Sequence, residues 1–414
     1  MLFGLIMGSD AVSTAQFNEM TGNDKGRVLF VVTSLMVGGT ESQLVHLATG
    51  LASRGWNVRV FALDRSGPLI KILEEAGIVI VDGGFSRSSS SWLGKAFCVV
   101  RAQARLHREI AMWRPNVMHG FLPLPNFMTA LAGRLSRVCL VLTSKRGLGT
   151  HQDRHPSVRW IDRVANRLSH VVTANSVAVA KDVERRDGYK AARVRVIPNG
   201  VDFARFDATN LSRTATRRTL ELDNGELAII FVANLIPYKG HAELIEAFAI
   251  VVSKFPHVKL FLVGEDRGIK ASLIKQAQEL GVADRIVMLG RRSDVPELLL
   301  AMDIGVMASH EEGFSNAVLE KLAAGLPVVA TDVGGNGEAL ADMPDCRLVR
   351  ARHSADLAEG IAATLASVAD AVLRRDVRQR LVRERYSLDS MVGAYETIYQ
   401  TGGVNSRRQD HSKG

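Results

Sequence analysis

Six short apolar runs recur in the first two hundred residues, and each is followed by a stretch with helical spacing. The runs lie at 26–34 (GRVLFVVTS), 57–63, 78–81, 116–119, 140–143 and 170–174. A strand buried on one face alternates apolar and polar residues, whereas a strand covered on both faces reads as an unbroken apolar run. Such runs alternating with helices predict βαβ units and a parallel sheet with helices on both faces.

The pattern pauses at Val196-Ile-Pro-Asn-Gly-Val-Asp202, where Pro and Asn-Gly punctuate the chain, and a polar, Arg-rich stretch follows. It then restarts, with strands predicted over 227–233, 259–263, 285–289, 304–307 and 328–331 and a helix over 242–255. The fold class expected is therefore α/β, two facing Rossmann-like doubly wound parallel-sheet domains, spanning 26–200 and 201–384. Ligands bind such folds in the crevice at the carboxyl ends of the strands. A last helical stretch over roughly 376–400 carries Tyr386, Met391, Tyr395 and Tyr399, and its part from 385 is a candidate to cross back to the first domain, with a helix that only covers the second domain as the alternative. Residues 1–25 and 401–414 are expected to be a disordered leader and tail.

The three cysteines, Cys98, Cys139 and Cys346, are far apart and odd in number, which argues for a reducing compartment. No apolar run approaches the roughly 18 residues of a membrane span, so a cytoplasmic location is expected. The charge is uneven. Residues 1–200 hold 26 Lys and Arg against 14 Asp and Glu, while the remainder holds 26 against 29. A basic first half implies an anionic partner there, whether a phosphorylated substrate, an anionic membrane surface or nucleic acid.

The most informative segment is Glu312-Gly-Phe-Ser-Asn-Ala-Val-Leu-Glu320. It follows the strand predicted over 304–307, at the carboxyl edge of the sheet. A helix is predicted to start near Ser315, a good N-cap, and to end near Gly325, a natural residue just past a helix, with Pro327 beyond. Asn316 and Glu320 are four apart and share a face. Backbone N–H groups of the first turn are suited to phosphate or sugar oxygens. A carboxylate at Glu320 suits a ribose diol, and Glu312 suits sugar hydroxyls.

The string EGFSNAVLEKLAAGLPVVATDVGG resembles the signature of the retaining family 4 glycosyltransferases, which have the GT-B fold. The resemblance covers about residues 26–400 and is tightest from 225 to 340. It implies that Glu312 contacts the donor sugar, that Glu320 holds the nucleotide ribose, and that Gly313 and Phe314 lie near the sugar and diphosphate. It also implies a basic pair clamping the diphosphate in Val232-Ala-Asn-Leu-Ile-Pro-Tyr-Lys-Gly240. Lys239 matches the lysine, and Asn234 stands where arginine is usual. Gly38 and Gly39 resemble the N-terminal glycine loop that faces the diphosphate and acceptor, while Glu41 serves equally well at a helix N-terminus. His119 is a candidate catalytic residue near the reacting sugar. Many members of the family place a histidine two positions later, where this chain has Phe121, and a core histidine is the alternative. Ser144 to His155 is read as acceptor side or as a solvated basic loop. Arg291 is expected beside the base, and Gly334, Gly335 and Glu338 resemble the closing turn.

No Asp-x-Asp occurs in the chain, so neither a metal nor any other cofactor is expected, with Lys239 and backbone amides neutralising the leaving diphosphate. The function expected is transfer of a hexosyl unit, with the retention the family implies, from a nucleotide sugar to a glycan or lipid-linked acceptor in cell-surface polysaccharide, lipopolysaccharide or glycolipid synthesis. A nucleotide-sugar epimerase on the same fold is the rival enzyme. A nucleic-acid-binding protein is the rival from another class, but aromatics make up 6% of residues and no aromatic-basic stripe is visible, so no nucleic-acid partner is expected. Trp92, Leu93, Phe97, Val99 and Val100 beside Lys95, Arg101, Arg105 and Arg108 make a candidate basic amphipathic helix for an anionic leaflet, and an ordinary packed helix is its alternative.

Overall fold

The computed structural model describes residues 25–85, 92–149, 156–207, 213–223 and 225–402. The expected leader and tail lie outside these, except Lys25, Thr401 and Gly402. The chain forms two compact units of similar size. One comprises residues up to Ala174, Val183–Ile197 and the chain from Met391 on; the other comprises Asn175–Asp182 and Pro198–Ser390.

The first unit is built on seven parallel strands. These are β1 (Arg27–Val32), β2 (Asn57–Ala62), β3 (Val79–Asp82), β4 (Val117–Phe121), β5 (Leu140–Lys145), β6 (Val171–Ala174) and β7 (Val194–Val196), in the order β3-β2-β1-β4-β5-β6-β7. The second has six parallel strands: β8 (Leu227–Val232), β9 (Val258–Val263), β10 (Ile286–Gly290), β11 (Ile304–Met307), β12 (Val328–Thr331) and β13 (Arg347–Val349). Their order is β10-β9-β8-β11-β12-β13. The central strands β1, β4, β5, β8 and β11 are almost wholly buried, which is why they read as unbroken apolar runs. In each sheet the strand order reverses direction once, between β1 and β4 and between β8 and β11. Loops leaving the carboxyl ends of those neighbours run to opposite sides and leave a crevice.

Two strands escaped the sequence reading. β7 and β13 are three residues each and only partly buried, too short to carry a hydrophobic pattern. The last helical stretch is also not one helix. It breaks into Arg375–Tyr386 and Leu388–Thr401. Ser387 between them is extended (φ −70°, ψ 153°) and bridges Val201, so its backbone serves a strand-like pairing instead of the helix.

Candidate active site

The second unit's crevice is formed by two loops, one after β8 and one after β11. Because β8 and β11 are hydrogen-bonded neighbours, the loops start side by side. Pro237–Lys239 makes a single 3-10 turn and ends on Gly240 in the left-handed conformation (φ 76°). A Cβ on Gly240 would sit 2.0 Å from the Ala308 carbonyl oxygen, so only glycine lets the two loops touch there. The His310 N–H donates to the Tyr238 carbonyl at 2.8 Å, and His310 Nε2 lies 2.8 Å from a Glu243 carboxylate oxygen.

This clasp brings Lys239 and Glu312 together. Lys239 Nζ donates to Glu312 Oε1 at 2.6 Å, with side chains only 18% and 12% exposed. The buried Ser309 hydroxyl donates to the same oxygen at 2.7 Å. Two donors on one carboxylate oxygen fix Glu312 in place, and sequence reasoning had not singled out Ser309. Its signal was faint: a serine just past a buried strand end.

The helix after Glu312 runs Asn316–Ala323, with Ser315 at its N-cap accepting from the Val318 N–H and Gly325 just past its end at φ 76°. Val318, Leu319, Leu322 and Ala323 are buried. Carbonyls ahead of it are held from behind. Gly313 O accepts from the Ser176 hydroxyl at 2.9 Å and from Gly335 N–H at 2.8 Å. Asn199 Nδ2 donates to Phe314 O at 2.8 Å and to Asn316 Oδ1 at 2.5 Å. The Glu338 carboxylate accepts from Val177 and Ala178 N–H groups at 2.8 and 2.9 Å, fastening the start of the helix Val177–Asp187. Phe314 turns its ring into the core, edge-on to Tyr386 at 5.3 Å. With carbonyls fixed inward, the N–H groups of Gly313, Phe314 and Ser315 donate to no acceptor among the described residues, although all three residues are buried. Buried backbone donors seldom stay unpaired, so these three are suited to oxygens of a ligand.

Glu320 lies one turn along, partly exposed, with Arg205 at 3.8 Å. Burial pushes its carboxyl above the usual range, against the pull of Arg205 and Lys321. Asn234 is exposed after β8, its side-chain oxygen accepting from Glu265 N–H at 3.1 Å, which leaves the amide nitrogen to donate. Arg291 is exposed just past β10.

The remaining candidates belong to the first unit. Gly38 caps the helix Gly39–Ser53, which begins after β1. A Cβ on Gly38 would meet the Glu41 carboxylate at 2.4 Å, so Glu41 folds back on its own helix start. His119 requires a correction. It is 0% exposed, and both ring nitrogens are engaged, Nδ1 with the Tyr399 hydroxyl at 2.6 Å and Nε2 with the Ser144 hydroxyl at 2.7 Å. Phe30, Phe121 and Tyr395 pack around the ring. Burial, with Arg146 adding to it, holds its pKa well below 6.5. It is a neutral core histidine with no nitrogen to offer a substrate. In the basic stretch from Ser144, Lys145 ends β5 and forms a buried ion pair with Asp162 at 2.7 Å, Arg146 lies 5.8 Å from the Phe121 ring, and Gly147 is exposed. Residues 150–155 lie outside the described residues.

Comparisons with known proteins match both halves of the chain. The family described as Glycosyltransferase Family 4 matches residues 37–205, and Glycosyl transferases group 1 matches residues 212–380. The chain is 29% identical over 404 residues to the D-inositol 3-phosphate glycosyltransferase of Geodermatophilus obscurus, covering 90% of this chain and 87% of that one. It is 30% identical over 353 residues to the protein of the same name from Actinosynnema mirum, covering 78% and 83%. Among solved structures, HepE of Anabaena in complex with UDP and glucose superposes with a TM-score of 0.78 at 22% identity, covering 90% of this chain and 99% of that one. A relative at 30% identity along most of its length, with a family match in each half, settles the assignment: the chain belongs to the family 4 glycosyltransferases and is a glycosyltransferase of the GT-B type.

Proposed function

We propose that the protein moves a hexosyl unit from a nucleoside-diphosphate sugar, with UDP as the nucleotide, to a phosphate-bearing acceptor, retaining the anomeric configuration and needing no metal ion. The observation that carries this reading is the Lys239–Glu312 pair at 2.6 Å beside three buried N–H groups that have no acceptor among the described residues. The ammonium of Lys239 has three N–H donors and gives one to Glu312, leaving others for a departing diphosphate. The Gly313–Ser315 amides add fixed dipoles that need no reorganisation when charge develops. Glu312 then faces the sugar hydroxyls. Glu320, whose carboxyl burial pushes up while Arg205 and Lys321 pull it down, accepts from the ribose diol. UDP as the nucleotide is supported by the fold shared with HepE, solved with UDP and glucose. A phosphate on the acceptor is supported by the basic first two hundred residues and by relatives named for inositol 3-phosphate.

A lipid-linked acceptor at the inner face of the membrane is the second reading, and the helix Trp92–Trp113 favours it. That helix buries Ala102, Leu106, Ile110 and Trp113 and leaves Phe97, Val100 and Met112 about two-thirds exposed, with Arg101 and Arg108 exposed along the same side. No helix among the described residues is long and apolar enough to cross a membrane. Flotation with anionic liposomes that fails to carry the protein removes this reading.

Thermal shift against a panel of nucleotide sugars tests the main one. UDP-sugars are expected to raise the melting temperature of the wild type and not of Glu320→Ala. No shift from any nucleotide sugar refutes the assignment of a donor site to these residues.

A further inference from the structure

Lys321 follows Glu320 directly and has no part in the roles given so far. It is 0% exposed. Its stem lies across β11 at Gly305, where a Cβ would stand 2.4 Å from Lys321 Cδ, so the absence of a side chain on the strand makes the room. Its Nζ donates to Ala317 O, one turn back, at 3.2 Å, and this is its only hydrogen bond among the described residues. An ammonium has three donors, and a buried one that is poorly bonded weighs against folding. A methionine would fill the same space without that penalty.

The charged groups that act on Lys321 come from three elements: Glu320 on its own helix, Glu312 in the loop after β11, and Lys239 in the loop after β8. Arg205 faces Glu320 at 3.8 Å. With Lys321 protonated the cluster holds three cations against two carboxylates; with Lys321 neutral the charges cancel. A nucleoside diphosphate is an anion that binds better to the first arrangement.

We propose that Lys321 is a positioning residue for the donor: its buried ammonium offsets Glu312 and Glu320 from beneath, so that the site meets a nucleoside diphosphate with net positive charge. This rests on the nucleotide-sugar reading above. Burial lowers the Lys321 pKa to about 8, with the two carboxylates opposing the shift and Lys239 adding to it. Two consequences of opposite sign follow. Donor affinity falls as pH rises through about 8, because the attracting proton leaves. The fold itself gains stability as pH rises from about 8 to the ordinary lysine value of 10.5, because a buried charge is released. Removing the charge by mutation therefore weakens the donor while strengthening the fold, a combination that a purely structural lysine does not give.

The test is calorimetric titration of the full-length wild type, Lys321→Met and Lys321→Gln with UDP, GDP and ADP, from about pH 6.5 to about pH 9. For whichever nucleotide binds, the wild-type Kd is expected to rise across this range. Both variants are expected to start about tenfold weaker at pH 7 and to stay flat, and Lys321→Met is expected to melt above the wild type. Wild-type affinity in the variants, a pH slope that survives in them, or a flat wild-type profile overturns the proposal. Should Lys321→Met fail to fold, Lys321→Gln and the wild-type slope decide it. Binding by the wild type with unaffected variants defeats this inference alone. Binding of none of the three nucleotides by the wild type defeats the donor reading and this inference with it.

Discussion

At the scale of single residues, the site depends on charges held out of water. Lys239 and Glu312 are each less than one-fifth exposed, so neither can be removed without leaving the other uncompensated. Lys239→Ala is expected to lower kcat/KM by about ten- to a hundredfold, the worth of one charge-assisted hydrogen bond to the diphosphate, and to cost roughly 3 kcal/mol in stability. Steady-state kinetics and urea unfolding measure the two separately. His119 is predicted to behave in the opposite way. His119→Gln should lower the melting temperature, because a doubly bonded core group is lost, while kcat of the folded fraction stays within about twofold, within the error of such a comparison. A drop in kcat of a hundredfold or more would restore His119 to the chemistry. The sequence placed His119 at a strand end, and strand ends are where catalytic groups sit. It could not show that Tyr399, 280 positions away, occupies one ring nitrogen.

At the scale of elements, the decisive unit is a strand, its following loop and the next helix. The helix Asn316–Ala323 was legible from its caps and its buried face, because N-cap chemistry and a left-handed glycine are local signals. The clasp between the two loops was not. Gly240→Ala is expected to push a methyl group into the Ala308 carbonyl and to impose a strained φ, at roughly 1–3 kcal/mol in stability. It should also raise the donor KM several-fold by shifting Lys239. Unfolding measurements and donor titration read these two effects, and wild-type values in both would show that the loops tolerate separation. The break at Ser387 was hidden for the same reason as the clasp. Its neighbours have helical spacing, and only the pairing of Ser387 with Val201, far away in sequence, pulls the backbone out of the helix.

At the scale of the whole molecule, buried titratable groups set the response to pH. His241 is 1% exposed and burial lowers its pKa to about 4, and His170 is lowered similarly. For a histidine with a depressed folded pKa, the unfolded chain takes up the proton first. Stability is therefore full above about 6.5 and is lost as pH falls from 6.5 to 4. For His241 the loss is about 3 kcal/mol. Glu396 acts at lower pH. Its pKa is held to about 2, with burial opposing the hydrogen bonds from Trp56, Lys25 and Arg54 that lower it. Its contribution is present above 4.5 and is lost as pH falls toward 2. Melting temperature is thus expected to fall steadily below about pH 6.5, and His241→Phe should flatten the upper part of that fall. A melting curve unchanged between pH 7 and pH 4.5 would contradict this. If, as proposed, lysine and backbone amides rather than a metal meet the diphosphate, a chelator leaves transfer activity unchanged. Loss of activity in EDTA, restored by a divalent cation, would overturn that.

Sequence alone determined the two parallel-sheet α/β domains, most of their strands, the helix behind Glu312 and the family, because all of these rest on local periodicity, turn chemistry and a contiguous motif. It was silent on β7 and β13, which are too short and too exposed to carry a pattern. Tertiary structure decided which charged groups meet. Glu312 acquires Lys239 and Ser309 because β8 and β11 are neighbours in the sheet. Lys321 loses water because Gly305 leaves it space. His119 is neutral because two hydroxyls and three rings close around it. Each of these is a matter of burial and distance between residues far apart in the chain, which no spacing within a motif can express.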